Sequence, residues 1–550
     1  MEKRLFIVSN RLPLIVDEEK GIQQASGGLI TAIDSYLSKI SADTFDEVFW
    51  SGVPGCFINT WAAASKKIDD NAFTYLPVFV PEREYEGYYN GFSNSVLWPL
   101  FHYFPSYVEY NIEAYECYQK VNNLFAEVLL KNLRPTDTVW IHDYHLLPLA
   151  ALLRKEMPEL TIGFFLHIPF PSFEIFRLLP KKWQEDMLKG MLGADLIGFH
   201  TIDYAGHFLQ SVQMVLGPDH ERHVIHYDNR IIKVDVFPIS IDFEKFHEAY
   251  DNEQVVSLRQ SMLQKMAERK IIFSVDRLDY TKGVQNRLKA YEYFLQQNPA
   301  YHSKVVFIMV IVPSRDSIPR YAERKKMIDE MISRINSKTG NIHWMPVIYQ
   351  YNSLEFENML ALYSSCDLAL ITPLRDGMNL ISKEFVASRK DKKGVLVISE
   401  MAGAARELTD ALTINPNDIL EMAQKIKEGL EMNEEEQAMR LTNMQKRISS
   451  YDVKAWVDDF MTELTNIKTK QASFQIKFLD DYTRRSLYDT YRNAKKRLLI
   501  LDYDGTLVPF SASPDMAIPG AELINLFKNL SNTAENDICL ISGRSSAWLE

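Results

Sequence analysis

The chain is punctuated by short apolar runs that each give way to a polar or glycine-bearing turn and then to a helical pattern: Leu5–Val8, Thr138–Ile141, Ile162–Leu166, Leu196–Phe199, Ile271–Val275, Val305–Val312, Leu368–Ile371 and Val395–Ile398. Alternation of this kind predicts parallel sheets covered by helices, and such sheets bind ligands at the carboxyl edge of their strands. The run Leu368–Ile371 is the most telling. It passes through a turn at Pro373–Gly377 into a helix from Asn379 onward, with Glu384 in the second helical turn. A helix N-terminus presents unpaired N–H groups toward an anion, so Ile371–Glu384 reads as a seat for a phosphate or a sugar. The plainer alternative is a loop in which Asp-Gly only turns the chain.

Three strands deliver a histidine at their carboxyl ends, at His142, His167 and His200, which points to one functional edge. Arg277 and Lys282 flank a single turn after Ile271–Val275, so two cations could converge on a diphosphate leaving group. Gly27 and Gly28 precede a helical pattern with Leu29, Ile33, Leu37 and Ile40 on one face, a candidate diphosphate cradle or a plain loop. The aromatic stretch from Tyr85 to Tyr110 interleaves Tyr88, Tyr89, Trp98 and His102 with Asn90 and Asn94. That mixture suits sugar rings, although aromatic clusters mostly fill cores.

At 550 residues the chain exceeds one hydrophobic core, and its formal charge of -12 argues against nucleic-acid or anionic-membrane partners. Cys56, Cys117, Cys366 and Cys539 form no CxxC pair, so neither a zinc site nor a disulfide framework is expected. The start MEKRLFIVSNR carries no secretory pattern, and Val305–Val312 is far short of the roughly 20 residues a membrane helix needs. A cytoplasmic protein is expected.

Downstream, Ile419–Leu430 reads as a helix, Glu431–Gln437 as an exposed turn or helix face, Tyr451–Ile467 as a long amphipathic helix and Lys468–Ser473 as a linker. A new strand, Leu498–Leu501, opens onto Asp502 and Asp504, and Ile538–Ile541 delivers Ser542. Paired carboxylates after a strand suit phosphoryl transfer, one attacking phosphorus and the other handling a proton. About fifty residues cannot complete such a domain, which also needs a lysine and a further carboxylate for Mg²⁺.

Taken together, SNR at 9–11, GGL at 27–29, YYNGFSNSVLWP at 88–99, IHDYHLLP at 141–148, FFLHIPFP at 164–171, VDRLDYTKG at 275–283 and LRDGMNLISKE at 374–384 resemble the trehalose-6-phosphate synthases. LDYDGTL at 501–507 with ISGR at 541–544 resembles the start of a haloacid-dehalogenase (HAD)-type trehalose-6-phosphate phosphatase. The resemblance implies an α/β GT-B fold, two Rossmann-like domains facing across a cleft, followed by an incomplete HAD-like segment. The implied boundaries are 1–240 for the acceptor-side domain, 241–450 for the nucleotide-sugar domain, 451–470 for a helix crossing back, 471–495 for a linker and 496–550 for the phosphatase segment. It implies glucosyl transfer with retention from a nucleotide glucose, commonly UDP-glucose, to glucose 6-phosphate.

By motif, Arg11, Tyr89 and Arg315 would hold the acceptor phosphate, Trp50 and Trp98 would line its pocket, and Asp143 would bind acceptor hydroxyls. His167 would contact the donor glucose, Arg277 and Lys282 the diphosphate, Asp376 a donor hydroxyl and Glu384 the ribose, with backbone N–H groups from Gly28 and from Gly377, Met378, Asn379 and Leu380. His167, Arg277, Lys282 and Asp376 form the expected catalytic set. No cofactor is expected for the synthase part, whereas Asp502 and Asp504 would hold Mg²⁺ in a complete phosphatase domain. A homo-oligomer is compatible with the resemblance, and phosphatase activity is not expected of this chain. Two other readings stay open: a catalytically silent regulatory synthase domain, and a related enzyme with another phosphorylated acceptor such as glycerol 3-phosphate.

Overall fold

The computed structural model describes residues 3–17, 21–24, 45–65, 74–218, 220–228, 230–314, 319–473, 481–509, 511, 513 and 516–543. The chain divides into two compact units, Met1–Ala472 and Ser473–Glu550. The first unit contains two large sheets. One has nine strands in the order Thr74–Pro77, Glu47–Val53, Arg4–Arg11, Thr138–His142, Thr161–Phe165, Leu196–Phe199, Arg230–Val236, Val224–Tyr227 and His220–Glu221, with the last two antiparallel and the rest parallel. The other is wholly parallel, in the order Val347–Gln350, Val305–Val312, Lys270–Arg277, Leu368–Ile371, Val395–Ser399 and Leu412–Ile414.

The central strands are apolar on both faces because helices cover both. Leu5, Phe6, Ile7 and Val8 are all fully buried, as are Leu368, Ala369 and Leu370. Arg11, His142 and Arg277 stand where their strands end, so these polar groups gather at the carboxyl edges.

The aromatic stretch predicted between Tyr85 and Tyr110 forms a helix at Glu82–Glu86, an eleven-residue π-helix at Gly87–Leu97 and a final turn at Trp98–Phe101. The wide π turn lets Asn94 donate to the Tyr89 carbonyl at 2.9 Å and Ser95 to that of Asn90 at 2.8 Å. Tyr88 and Phe92 point into the core, and Tyr89 lies only partly buried beside them. Apolar spacing does not reveal a π-helix, since its period is neither that of a strand nor that of an α-helix.

The predicted linker at Lys468–Ser473 is a correction: the helix spans Val453–Ser473 without a break. Polar composition suggested a solvated segment, but these polar atoms have work on the first sheet. Lys468 donates to the Leu160 carbonyl at 3.1 Å, and Gln471 to the Ile231 carbonyl at 2.8 Å and to Asp195 at 3.0 Å. Upstream, Phe460 lies in a notch made by two glycines. A Cβ on Gly163 would come within 2.7 Å of the Phe460 ring and one on Gly198 within 2.9 Å, so the strands leave space for the ring there. Trp456 fills the next position, donating to the Phe237 carbonyl at 3.2 Å and packing on Trp140 at 5.2 Å.

The second unit contains a parallel pair, Arg497–Asp502 and Asn536–Ile541, with helices Asp481–Asn493 and Ala521–Ser531. The helix Asp481–Asn493 falls within the predicted linker 471–495. Its small core gathers Tyr503, Val508 and Ala517.

Phe460→Ala should empty the glycine notch and cost about 3–5 kcal/mol of stability, read as a lower urea midpoint; a loss under ~1 kcal/mol would contradict this packing.

Candidate functional site

The site starts where the strand Lys270–Arg277 ends. Arg277 emerges into solvent, and the chain turns through a single 3₁₀ turn, Tyr280–Lys282, that Asp279 caps by accepting from the Thr281 amide at 2.9 Å. Gly283 then takes a left-handed φ of 67°, and a Cβ there would meet the Thr372 carbonyl at 2.4 Å. Beneath the turn, Arg287 is fully buried and bonds Asp276 at 2.6 Å, Thr372 at 3.0 Å and the Lys282 carbonyl at 3.1 Å. The loop that carries Lys282 is therefore held from below by a guanidinium paired with Asp276 and bonded through all three of its nitrogens.

Lys282 crosses to the next loop, its amine 2.5 Å from an Asp376 oxygen, and Asn379 donates to the same oxygen at 3.1 Å. Burial alone would raise the Asp376 acid, but Lys282 and Asn379 outweigh it and hold the group below the ordinary carboxylate range. Asn379 sits at a left-handed φ of 80° and caps the helix Leu380–Ser388 by accepting from the Ser382 amide. Glu384 accepts from the Tyr363 hydroxyl at 2.8 Å, and burial raises its acid.

The two sheets meet at this loop. A Cβ on Gly377 would stand 2.2 Å from the His167 carbonyl, so only glycine allows the close approach. Tyr204, from the first sheet's side, donates to the Asp376 carbonyl at 3.3 Å. Met378 is buried, consistent with a backbone contribution only.

On the first sheet, Asp143 has a φ of 75° and accepts from the His167 amide at 3.2 Å. Burial pushes its acid up to about 6. His142 Nδ1 and His167 Nε2 are 3.0 Å apart, and the His200 ring lies tilted at 5.4 Å from that of His167. Burial lowers His142 and His200 to about 3; it also lowers His167 well below the ordinary value, aided by the two neighbouring rings. These rings stay neutral at physiological pH. Trp98 donates to Asp279 at 3.4 Å, and its ring lies 5.9 Å from the Arg277 guanidinium.

Arg11 lies over the Tyr89 ring at 5.2 Å and donates to the Tyr85 hydroxyl at 3.1 Å, with an exposed side chain. Trp50 differs from its predicted place lining the acceptor pocket. It is fully buried and donates to Ser9 at 2.8 Å, so it supports the strand end from within and offers a ligand no surface. Gly28, with its helical pattern, and Arg315 lie outside the described residues.

Arg287 and Tyr363 went unassigned in the sequence. Both lie on helices, where a single polar residue gives no signal of what it bonds. Asp279 stands inside the VDRLDYTKG motif, and its acceptance of several donors becomes legible only in three dimensions. In the second unit, Thr506 donates to Asp502 at 2.9 Å, and Asp504 lies next in the same loop. Among the described residues no group of three potential metal ligands forms.

A family model described as glycosyltransferase family 20 matches residues 3–466, and one described as trehalose-phosphatase matches residues 500–550. The chain is 41% identical to a bifunctional trehalose-6-phosphate synthase/phosphatase of Thermoproteus tenax, over 100% of this chain and 75% of that protein. A UDP-forming α,α-trehalose-phosphate synthase from Burkholderia xenovorans, solved in complex with glucose-6-phosphate, aligns with a TM-score of 0.76 and 31% identity, covering 84% of this chain and 100% of that one. The N-terminal domain of a Candida albicans trehalose-6-phosphate phosphatase aligns with a TM-score of 0.77 and 32% identity, covering 85% of this chain and 97% of that one.

The lowered histidines carry a pH signature. In the unfolded chain His142 takes up a proton below about pH 6.5, but in the fold only near pH 3, so its contribution to stability is lost as pH falls between those values. Replacing it by His142→Phe should make the decline in stability between pH 6 and pH 4 shallower by about 1 kcal/mol per pH unit in urea titrations. Equal slopes would contradict the assignment.

Proposed function

The chain belongs to glycosyltransferase family 20, and from that premise we propose that it transfers glucose from UDP-glucose to glucose 6-phosphate, giving α,α-trehalose 6-phosphate with retention at the anomeric carbon. It is a GT-B enzyme, its two parallel sheets each turning strand ends toward the site. The observation that carries the reading is the Lys282–Asp376 pair at 2.5 Å, with Arg277 at the end of the strand that leads into the Lys282 turn.

In this reading Arg277 and Lys282 receive the diphosphate. Lys282 is held in place before the reaction by Asp376, so it stabilises negative charge as it develops on the leaving group without needing to reorganise, and Arg277 adds its charge from the strand end. They also supply the positive charge that a donor metal would otherwise bring. Glu384, oriented by Tyr363, accepts the ribose hydroxyls, and Asp376 accepts from a hydroxyl of the donor glucose. Asp376 is no nucleophile here: Lys282 and Asn379 already bond its carboxylate, which lowers its basicity. The leaving phosphate takes the proton of the acceptor hydroxyl on the same face of the sugar, consistent with retention. Backbone N–H groups at Gly377–Leu380 and at Gly28 add donors to the nucleotide sugar.

The acceptor phosphate is assigned to Arg11, Tyr89 and Arg315, with Trp98 beside it. Asp143 and the neutral His167 bind hydroxyls of the two sugars, a role suited to an uncharged ring that can accept or donate without importing charge. A cytoplasmic setting fits soluble, phosphorylated substrates; among the described residues no helix is long and apolar enough to cross a membrane. The likeness to a phosphatase's N-terminal domain favours a second reading, a silent synthase domain that regulates. The presence of Arg277, Lys282 and Glu384 weighs for an active one.

Nucleotide release, measured with UDP-, ADP- and GDP-glucose crossed with glucose 6-phosphate and glycerol 3-phosphate, should be fastest for UDP-glucose with glucose 6-phosphate. Arg277→Ala should lower that rate by about 10²- to 10³-fold. No release from any pairing would refute transfer and favour the silent domain.

A further inference from the structure

Asp279 is only 4% exposed, and three donors from different parts of the first unit converge on its carboxylate. Oδ1 accepts from the Thr281 amide at 2.9 Å, which closes the turn carrying Lys282. The same oxygen faces the Trp98 indole N–H at 3.4 Å, a ring contributed by the first sheet's side. Oδ2 accepts from the Tyr321 hydroxyl at 3.0 Å. Tyr321 lies in the first turn of the helix Pro319–Thr339, six residues after Arg315 in sequence.

Neighbouring contacts follow the same route. Tyr280 packs edge-on against Phe104 at 4.9 Å and Tyr107 at 5.0 Å, and Arg320 donates to the Tyr107 carbonyl at 3.0 Å. The segment from Trp98 to Tyr107 is thereby clasped by the Lys282 turn on one side and by the start of the long helix on the other.

We propose that Asp279 is a positioning residue that couples the donor seat to the acceptor seat. The proposal rests on the reading above, in which Lys282 belongs to the donor diphosphate and Trp98 to the acceptor. A buried carboxylate can only accept, so its donors must keep their orientation together. Hydrogen bonds to a charged group are also roughly twice as strong as neutral ones. A diphosphate on Lys282 adds restraint to the turn that Asp279 closes, and through Asp279 to the Trp98 indole and the start of the helix Pro319–Thr339. The acceptor side is then held more firmly when the acceptor arrives. Linkage makes the effect reciprocal: glucose 6-phosphate tightens UDP by the same factor.

Calorimetric titration of UDP and of glucose 6-phosphate, each alone and with the other saturating, measures that factor. In the unaltered chain it should lie within the roughly 5- to 150-fold range of coupled sites. Asp279→Asn and Tyr321→Phe should each reduce it at least threefold, with Tyr321→Phe leaving the affinity for UDP alone within about twofold. In a double-mutant cycle Tyr321→Phe should add little to Asp279→Asn, because both act through one contact. If Asp279→Asn does not fold, Tyr321→Phe decides alone. An unchanged factor in a folded variant overturns the coupling, as does an equal loss of both single-ligand affinities with the factor intact. If the unaltered chain binds neither ligand, the functional reading itself fails and the coupling with it.

Discussion

The contact between Lys282 and Asp376 ties together the two loops on which the site is built. An amine and a carboxylate 2.5 Å apart, both largely withdrawn from water, keep their charges only if each is held in register from behind. Behind Lys282 stand the Asp279 cap and the buried Arg287, bonded to Asp276, to Thr372 and to the Lys282 carbonyl itself. Behind Asp376 stand Asn379 in its left-handed conformation and the backbone packed against Gly377 and Gly403, where a Cβ at either position would strike a carbonyl within 2.2 Å. The two loops come from adjacent strands of one sheet, so their spacing is fixed by the ladder between Lys270–Arg277 and Leu368–Ile371.

That arrangement explains how two kinds of charge can share one site. The carboxylate holds the amine in place before any substrate is present, which avoids an isolated buried cation. In the proposed reaction the same amine, together with Arg277, meets the diphosphate, while Asp376 turns its remaining capacity to the sugar. Of the three neutral histidines only His167 is partly exposed; His142 and His200 lie buried behind it. The helix Val453–Ser473 supports the site by filling the glycine notch of the first sheet with Phe460, by packing Trp456 against His167 at 6.2 Å and by satisfying the Leu160 and Ile231 carbonyls with Lys468 and Gln471.

Much of this was legible in the sequence because parallel sheets bury their strands on both faces and put polar residues where the strands stop. Leu368–Ile371 and Val305–Val312 stood out as continuous apolar runs with the bounds found in the fold, and the turns after them carry Asp376 and the segment before Arg315. Glu384 on the second helical turn was equally plain. The π-helix at Gly87–Leu97 was not, since its residues follow no apolar period. Lys468–Ser473 misled because lysine, threonine and glutamine resemble a solvated linker until their bonds to the first sheet are seen. Trp50 misled in the opposite direction: the resemblance placed it at the acceptor pocket, but its ring lies in the core. Tyr363 and Arg287 gave no signal, because what matters is which buried partner each one finds.

The central claim is a glucosyl transfer in which the leaving diphosphate, held by Arg277 and Lys282, departs from the face the acceptor enters. Carbon-13 NMR of the product formed from UDP-glucose labelled at the anomeric carbon, with glucose 6-phosphate as acceptor, tests it most directly. The account predicts that the label appears only in an α,α-linked disaccharide phosphate, with no glucosyl adduct on the protein by intact mass. A β-linked product, or a glucosyl group trapped on Asp376, would contradict it.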